Sequence, residues 1–314
     1  ADMLVYGMGE KAIVEIAKKL MDGQPIQSLH TIPQTAFVSE QASILPFGDR
    51  QMVTLPGYEE CKKEKAIFAQ AFKIIEEESN KYDSKRLVEP TENGMVVINP
   101  PYEPSTSEEL DWIYALPYTR QPHPKYFDKG SIPAFEMIKF SVNIHRGCFG
   151  GCSFCTISAH QGKFIASRST KSILDELEKI SIMADFKGHV SDLGGPSANM
   201  YQMKGIDLEM CRICKRNSCI WPTICKNLNT DHSALIDLYE NVRELSFIKK
   251  VTIGSGIRYD LFANDNPTNK RYVTDLIRYH VSGRLKVAPE HTKDEVLYVM
   301  RKPSFNLFKK FHEQ

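Results

Sequence analysis

Three cysteines fall within one ten-residue run, Arg146-Gly147-Cys148-Phe149-Gly150-Gly151-Cys152-Ser153-Phe154-Cys155. A thiolate is a soft ligand, and three on one short loop suit three irons of a cubane iron–sulfur cluster. The fourth iron then keeps an open position, where a metal centre takes up a substrate. Glycine at 147, 150 and 151 lets the chain wrap closely around so bulky a group. Two blander readings stay open on spacing alone: three buried thiols, or a structural zinc completed by His145 or His160.

A second group, Cys211, Cys214, Cys219 and Cys225, sits in a polar stretch with Arg212, Lys215, Arg216 and Lys226, and His232 is nearby. Four such thiols suit zinc or a second iron–sulfur cluster, against the alternative of thiols on a mobile loop. Seven of the eight cysteines in this 314-residue chain lie between 148 and 225. That clustering, with no export signal, points to metal or redox chemistry in the reducing cytoplasm rather than to a disulfide framework. The eighth, Cys61, reads as a core thiol on a helix.

The elements that must position these residues follow from periodicity. Lys139 to Ile144, His189 to Leu193, Lys249 to Ile253 and Arg284 to Ala288 read as strands. Helices over Lys171 to Ala184 (capped by Ser169 or Thr170), Ser233 to Leu245 and Asn269 to Val281 separate them. Strands alternating with helices predict parallel pairing, an α/β core in which the first cysteine loop lies at the C-terminal end of a strand. Alternation along the third and fourth strands turns Val251, Ile253, Leu285 and Val287 toward outer helices. It turns Thr252, Lys286, Ala288 and Glu290, with Arg258, toward the inside. Arg258 or Lys286 is then expected to meet a carboxylate and Glu290 a ribose hydroxyl, against the alternative of a structural ion pair. His280 reads as a capping or surface residue at a helix end.

Upstream, Met3-Leu4-Val5-Tyr6 reads as a strand, followed by a helix with Ile13, Ile16, Ala17 and Leu20 on one face. Gly7-x-Gly9-x2-Ala12 matches the dinucleotide fingerprint in form. The acid expected about 20 residues on is missing, so it reads as a simple strand-to-helix turn. Residues 22 to 57 read as loop-rich. A helix is expected from about Tyr58 to Ser79 with Cys61, Phe68, Phe72 and Ile75 on one face, and Glu59 to Lys65 as its solvated charges. Residues 80 to 135 are rich in proline and turns and read as irregular. The domain expectation is therefore 1–21 as the end of an α/β unit, 22–135 as an irregular connection with one long helix, and 136–314 as the core with a cysteine-rich insert at 200–230.

Bulk properties narrow the function classes. Forty Lys and Arg against thirty-nine Asp and Glu give a net charge of +1, so net charge offers no support for nucleic-acid binding. No apolar run approaches the roughly 20 residues of a membrane span. The chain opens on Ala1 and ends at Lys309-Lys310-Phe311-His312-Glu313-Gln314, and a fragment is expected.

Cys-x3-Cys-x2-Cys with an aromatic before the last cysteine resembles the radical S-adenosylmethionine (SAM) signature. Together with Ile132-Pro133-Ala134, Phe140-Ser141-Val142-Asn143, Ser191-Asp192-Leu193-Gly194-Gly195-Pro196, Gly254-Ser255-Gly256-Ile257-Arg258-Tyr259-Asp260 and Ala288-Pro289-Glu290-His291, the chain resembles the YgiQ family of radical SAM proteins over nearly its whole length. The resemblance implies a (β/α) barrel of the radical SAM type. Here the barrel would be incomplete after about the fourth strand and preceded by the end of a Rossmann-like, cobalamin-binding-like domain. It implies a [4Fe–4S] cluster on Cys148, Cys152 and Cys155, and SAM on the fourth iron. Phe154 would meet adenine, and Gly194 and Gly195 the methionyl amine, although Pro196 stands where the superfamily pattern usually has an acid. The implied chemistry is reductive cleavage of SAM to a 5′-deoxyadenosyl radical, with an electron donor as partner. The alternative is a non-catalytic iron–sulfur or zinc protein. In the insert, the family spacing matches Cys214, Cys219 and Cys225 best and Cys211 least.

Overall fold

The computed structural model of the chain describes residues 1–40, 47–48, 51–262 and 266–313, and it divides into two compact units. The loop-rich reading of 22–57 extends over positions 41–46 and 49–50, which lie outside the described residues.

The first unit comprises 1–104, 155–163 and 205–219. Its five-stranded sheet has the order β1-β2-β5-β4-β3, from Leu4–Val5 (β1), Thr35–Ser39 (β2), Met52–Thr54 (β3), Arg86–Thr91 (β4) and Gly94–Ile98 (β5). β1 pairs antiparallel with β2, β2 with β5 and β5 with β4, while β3 runs parallel to β4. The stretch expected to be irregular thus carries four strands. β4 and β5 form a tight hairpin closed at Thr91 and Gly94, whose φ of 132° suits glycine. The first helix, Glu10–Met21, buries Ala12 and Ile16 with Leu29 and Ile32.

Two helical faces differ from the sequence expectation. In Glu10–Met21, Ile13 and Leu20 are exposed, because Ala12 and Ile16 form the inward stripe. The expected helix over 58–79 is two helices, Tyr58–Lys63 and Lys65–Ser79, broken at Glu64, whose backbone is extended. Lys65–Ser79 buries Ala71 and Glu78, and Phe68 and Phe72 are 59% and 53% exposed. Each helix carries two apolar stripes, and periodicity alone does not say which one meets the sheet.

The second unit comprises 105–154, 164–204 and 220–314. Its parallel pairs match the predicted order: Asp192–Gly194 (β10) lies beside Ser141–Asn143 (β6), and Lys250–Val251 (β11) beside His189–Val190 (β9). The short strands His145–Arg146 (β7) and Ala166–Ser167 (β8) pair antiparallel across the base of the cysteine loop. Helices Thr170–Ser181 and Ser233–Arg243 stand between successive strands, and Pro267–Asp275 follows the last of them. Ser169 caps the first of them, accepting the Ser172 amide at 3.1 Å. Val142, Ile144, Ile173, Leu177, Leu193, Leu238 and Val251 form the core, with Leu285 and Val287 against it as expected.

The fourth expected strand shrinks to one parallel bridge, Ile257 to Val287. Gly283 on one side and Pro289 on the other leave little length for a ladder. The architecture is a mixed α/β fold with parallel strand pairs. His280, expected at the surface, is buried, with Nδ1 on the Val251 carbonyl at 3.0 Å and Nε2 on Arg243 at 3.0 Å.

Candidate metal centre

In parallel pairs the strands end on the same side, and two chemistry-bearing segments leave such ends, 195–200 after β10 and 252–260 after β11, while 147–154 follows β7 shortly beyond the end of β6. Asp192 ties two of them together. Its carboxylate accepts the Gly254 amide at 2.8 Å, the Ser255 amide at 3.1 Å and the Ser255 hydroxyl.

Within the second unit the loop gathers Cys148 and Cys152 around Gly150. A Cβ at 150 would stand 3.3 Å from Cys148 Sγ, 3.8 Å from Cys152 Sγ and 3.1 Å from Arg258 Nη1. A side chain at 150 would press on the guanidinium and the Cys148 sulfur, so glycine suits a loop that draws both this close to its backbone. Residues Val299–Arg301 clasp the loop from outside. Ser153 donates its amide to Met300 O at 3.2 Å and its hydroxyl to Val299 O at 2.8 Å, and Arg301 donates to Gly151 O at 3.2 Å. Phe154 is 52% exposed. Cys155 opens the segment 155–163 of the first unit.

Arg258, expected to meet a carboxylate or to stand in a structural ion pair, meets a carboxylate of its own chain. It is buried, and its Nε and Nη2 already donate to Asp260 at 2.9 and 2.6 Å. Its Nη1 points to Cys152 Sγ at 3.4 Å. Burial works against this charge, but Asp260, with Cys152 and Cys148 behind it, holds the guanidinium's pKa above its ordinary value. Glu290 adopts φ 69° and faces Lys302 at 3.6 Å, so its carboxylate lies in an ion pair. Burial, then the Arg258 charge, lowers the pKa of Lys302. Lys286, the other expected carboxylate partner, is exposed.

Gly194 and Gly195 sit under close neighbours. A Cβ on Gly194 would meet Ser255 Oγ at 2.9 Å, and one on Gly195 would meet the His145 ring at 2.5 Å. His145 is fully buried, and no hydrogen bond reaches either ring nitrogen. Burial pushes its pKa down to about 3.

The insert divides. Cys211, Cys214 and Cys219 belong to the first unit and Cys225 to the second. Its first part is anchored: Arg212 pairs with Glu103 at 3.3 Å, Lys163 donates to Arg216 O at 2.7 Å, and Asn217 donates to Glu76 at 3.0 Å. Cys214 Sγ accepts the Arg216 amide at 3.5 Å. Burial, followed by the charge of nearby Cys211, raises the pKa of Tyr82. Among the described residues, no three Cys, His, Asp or Glu side chains are gathered as a ready metal site. Also among them, no helix is long and apolar enough to cross a membrane.

Sequence reasoning singled out the cysteines, the two glycines and Arg258, and it missed Asp192, Asp260, Lys302 and the 299–301 clasp. The Arg258-x-Asp260 spacing, opposite charges two residues apart at the start of the 3-10 turn Tyr259–Phe262, was the available signal for one of these.

Residues 1–141 match the family described as Radical SAM N-terminal. UPF0313 proteins of Bacteroides thetaiotaomicron, Porphyromonas gingivalis and Methanocella arvoryzae are 55%, 51% and 43% identical, each over 99% of this chain. The chain covers 52%, 50% and 50% of their lengths, so it spans about half of the curated relatives it matches.

Proposed function

We propose that this chain is the cluster-bearing part of a radical SAM enzyme of the YgiQ family, a reading supported by its similarity to the Radical SAM N-terminal family and to UPF0313 proteins. Cys148, Cys152 and Cys155 would hold a [4Fe–4S] cluster within an incomplete parallel (β/α) barrel. The observation that carries this reading is the Gly150 cradle, where two of the three cysteine sulfurs and the Arg258 guanidinium lie 3.1–3.8 Å from where a side chain would start. A bound cluster would supply the single electron that splits the sulfonium of SAM.

The chain's own residues bind, orient and shield. Phe154 offers an exposed ring, suited to stacking on adenine. Gly194 ends its strand and Gly195 follows it, the two positions assigned to the methionyl amine. Ser153 and Gly151, tied to 299–301, hold the loop in register. The buried core beneath keeps water from that side of the centre. The four insert cysteines are assigned no second metal.

The test uses the full-length protein, reconstituted without oxygen. About four irons per chain are expected, by cubane stoichiometry, with 5′-deoxyadenosine formed from SAM under reductant. Cys152→Ala should lose the iron and its absorbance. Retention of both in that variant, or no 5′-deoxyadenosine from wild-type protein with an intact cluster, would overturn the reading.

A further inference from the structure

The guanidinium of Arg258 is held more firmly than an ion pair requires. Its backbone is fixed at both groups by Asn199, which accepts the Arg258 amide at 2.8 Å and donates to its carbonyl at 3.1 Å. Asp260 occupies Nε and Nη2 in a fork-to-fork pair at 2.9 and 2.6 Å. The planar head then has one nitrogen left to aim, and it aims at Cys152 Sγ, 3.4 Å away. The missing side chain at 150 keeps the path open, since a Cβ there would stand 3.1 Å from that nitrogen. The nearby cation Lys302 faces the Glu290 carboxylate at 3.6 Å.

We propose that Arg258, clamped by Asp260 and Asn199, is a positioning residue that sets the reduction potential of the cluster through an N–H···S bond to Cys152. This rests on reading the loop as a cluster site. One-electron reduction adds negative charge to the cluster and its thiolates. A donor and a positive charge fixed beside one sulfur stabilise the reduced form more than the oxidised form. Arg258 therefore raises the potential and makes the electron from a donor easier to accept.

The experiment is a redox titration with dithionite, followed by electron paramagnetic resonance, on full-length wild-type protein, Arg258→Gln and Arg258→Lys. Iron content and a thermal melt are recorded for each. Arg258→Gln is expected to lower the reduction equilibrium constant about tenfold, a shift of about 59 mV to more negative potential for one electron. Arg258→Lys keeps the charge but not the fork, and should shift less in the same direction. A potential unchanged in a folded, four-iron Arg258→Gln protein overturns the proposal. If that variant does not hold its cluster, Arg258→Lys decides: a negative shift supports the role and an unchanged potential refutes it. Wild-type protein that takes up no iron would instead overturn the cluster reading beneath it. A purely structural ion pair would change the melt and leave the potential where it was.

Discussion

At the scale of single residues, close approach decides more than charge. Gly195 supports the His145 ring, and a Cβ there would lie 2.5 Å from ring carbon Cε1. The ring is fully buried and has nowhere to retreat. Gly195→Ala should therefore cost about 1–3 kcal/mol, as overpacking does. Gly256→Ala, whose Cβ would meet nothing within 4 Å, should stay within about 0.5 kcal/mol of wild type. Urea unfolding of the two variants tests this, and equal losses would show that the ring moves aside. The same scale explains what could be read beforehand. Cysteine spacing and paired glycines are marks of residue type, so they stand out in the chain. The roles of Asp192 and Lys302 depend on which loop the fold brings opposite them, and nothing in their local sequence says so.

At the scale of elements, periodicity located the longest helices and three of the four core strands, because one side of each must be apolar to be buried, and it missed shorter helices such as Ser107–Ala115 and Phe305–Glu313. It failed where a helix has two apolar sides. Phe68 and Phe72 look like core by type and spacing, yet the inward side of Lys65–Ser79 is lined by Ala71 and Glu78. Phe72→Ser should therefore change stability by no more than about 0.5 kcal/mol, whereas Ile173→Ala, at a fully buried site, should cost about 2–5 kcal/mol. Differential scanning calorimetry separates the cases, and a large loss from Phe72→Ser would mean that its stripe is covered. The hairpin of β4 and β5 was missed although Asn93-Gly94 carries its turn chemistry. Prolines in the same stretch argued for irregular chain, and Pro90 is accommodated within β4.

At the scale of the whole molecule, two hydrogen-bonded buried imidazoles join His145 in making stability depend on pH. His232 lies between the Asn269 side-chain oxygen at 2.6 Å and the Asn199 amide nitrogen at 3.2 Å. His280 lies between the Val251 carbonyl and Arg243. Each ring has one partner that accepts and one that donates, the pattern of a neutral imidazole. Burial above all pushes both down to about 4. The unfolded chain takes up these protons near pH 6.5 and the folded chain does not until about pH 4. The stability they contribute is thus complete above pH 6.5 and is lost as pH falls toward 4, by about 3 kcal/mol for each ring. Denaturant midpoints between pH 7.5 and 4.5 should show the decline, and His232→Gln should flatten it; an unchanged slope would mean the ring is protonated when folded. The parallel strand pairs have a consequence in time as well. β6 must wait for β10, and β9 for β11, each across a whole intervening helix. Such non-local ladders close late, because loop-closure entropy is met before any contact offsets it. Cys148 and Cys152 follow directly on the first of these strands, so during synthesis their thiols stay exposed until the second strand has arrived. Oxygen in that interval would consume them before iron could, and yield of active protein should depend on how much oxygen is present while the chain is being made.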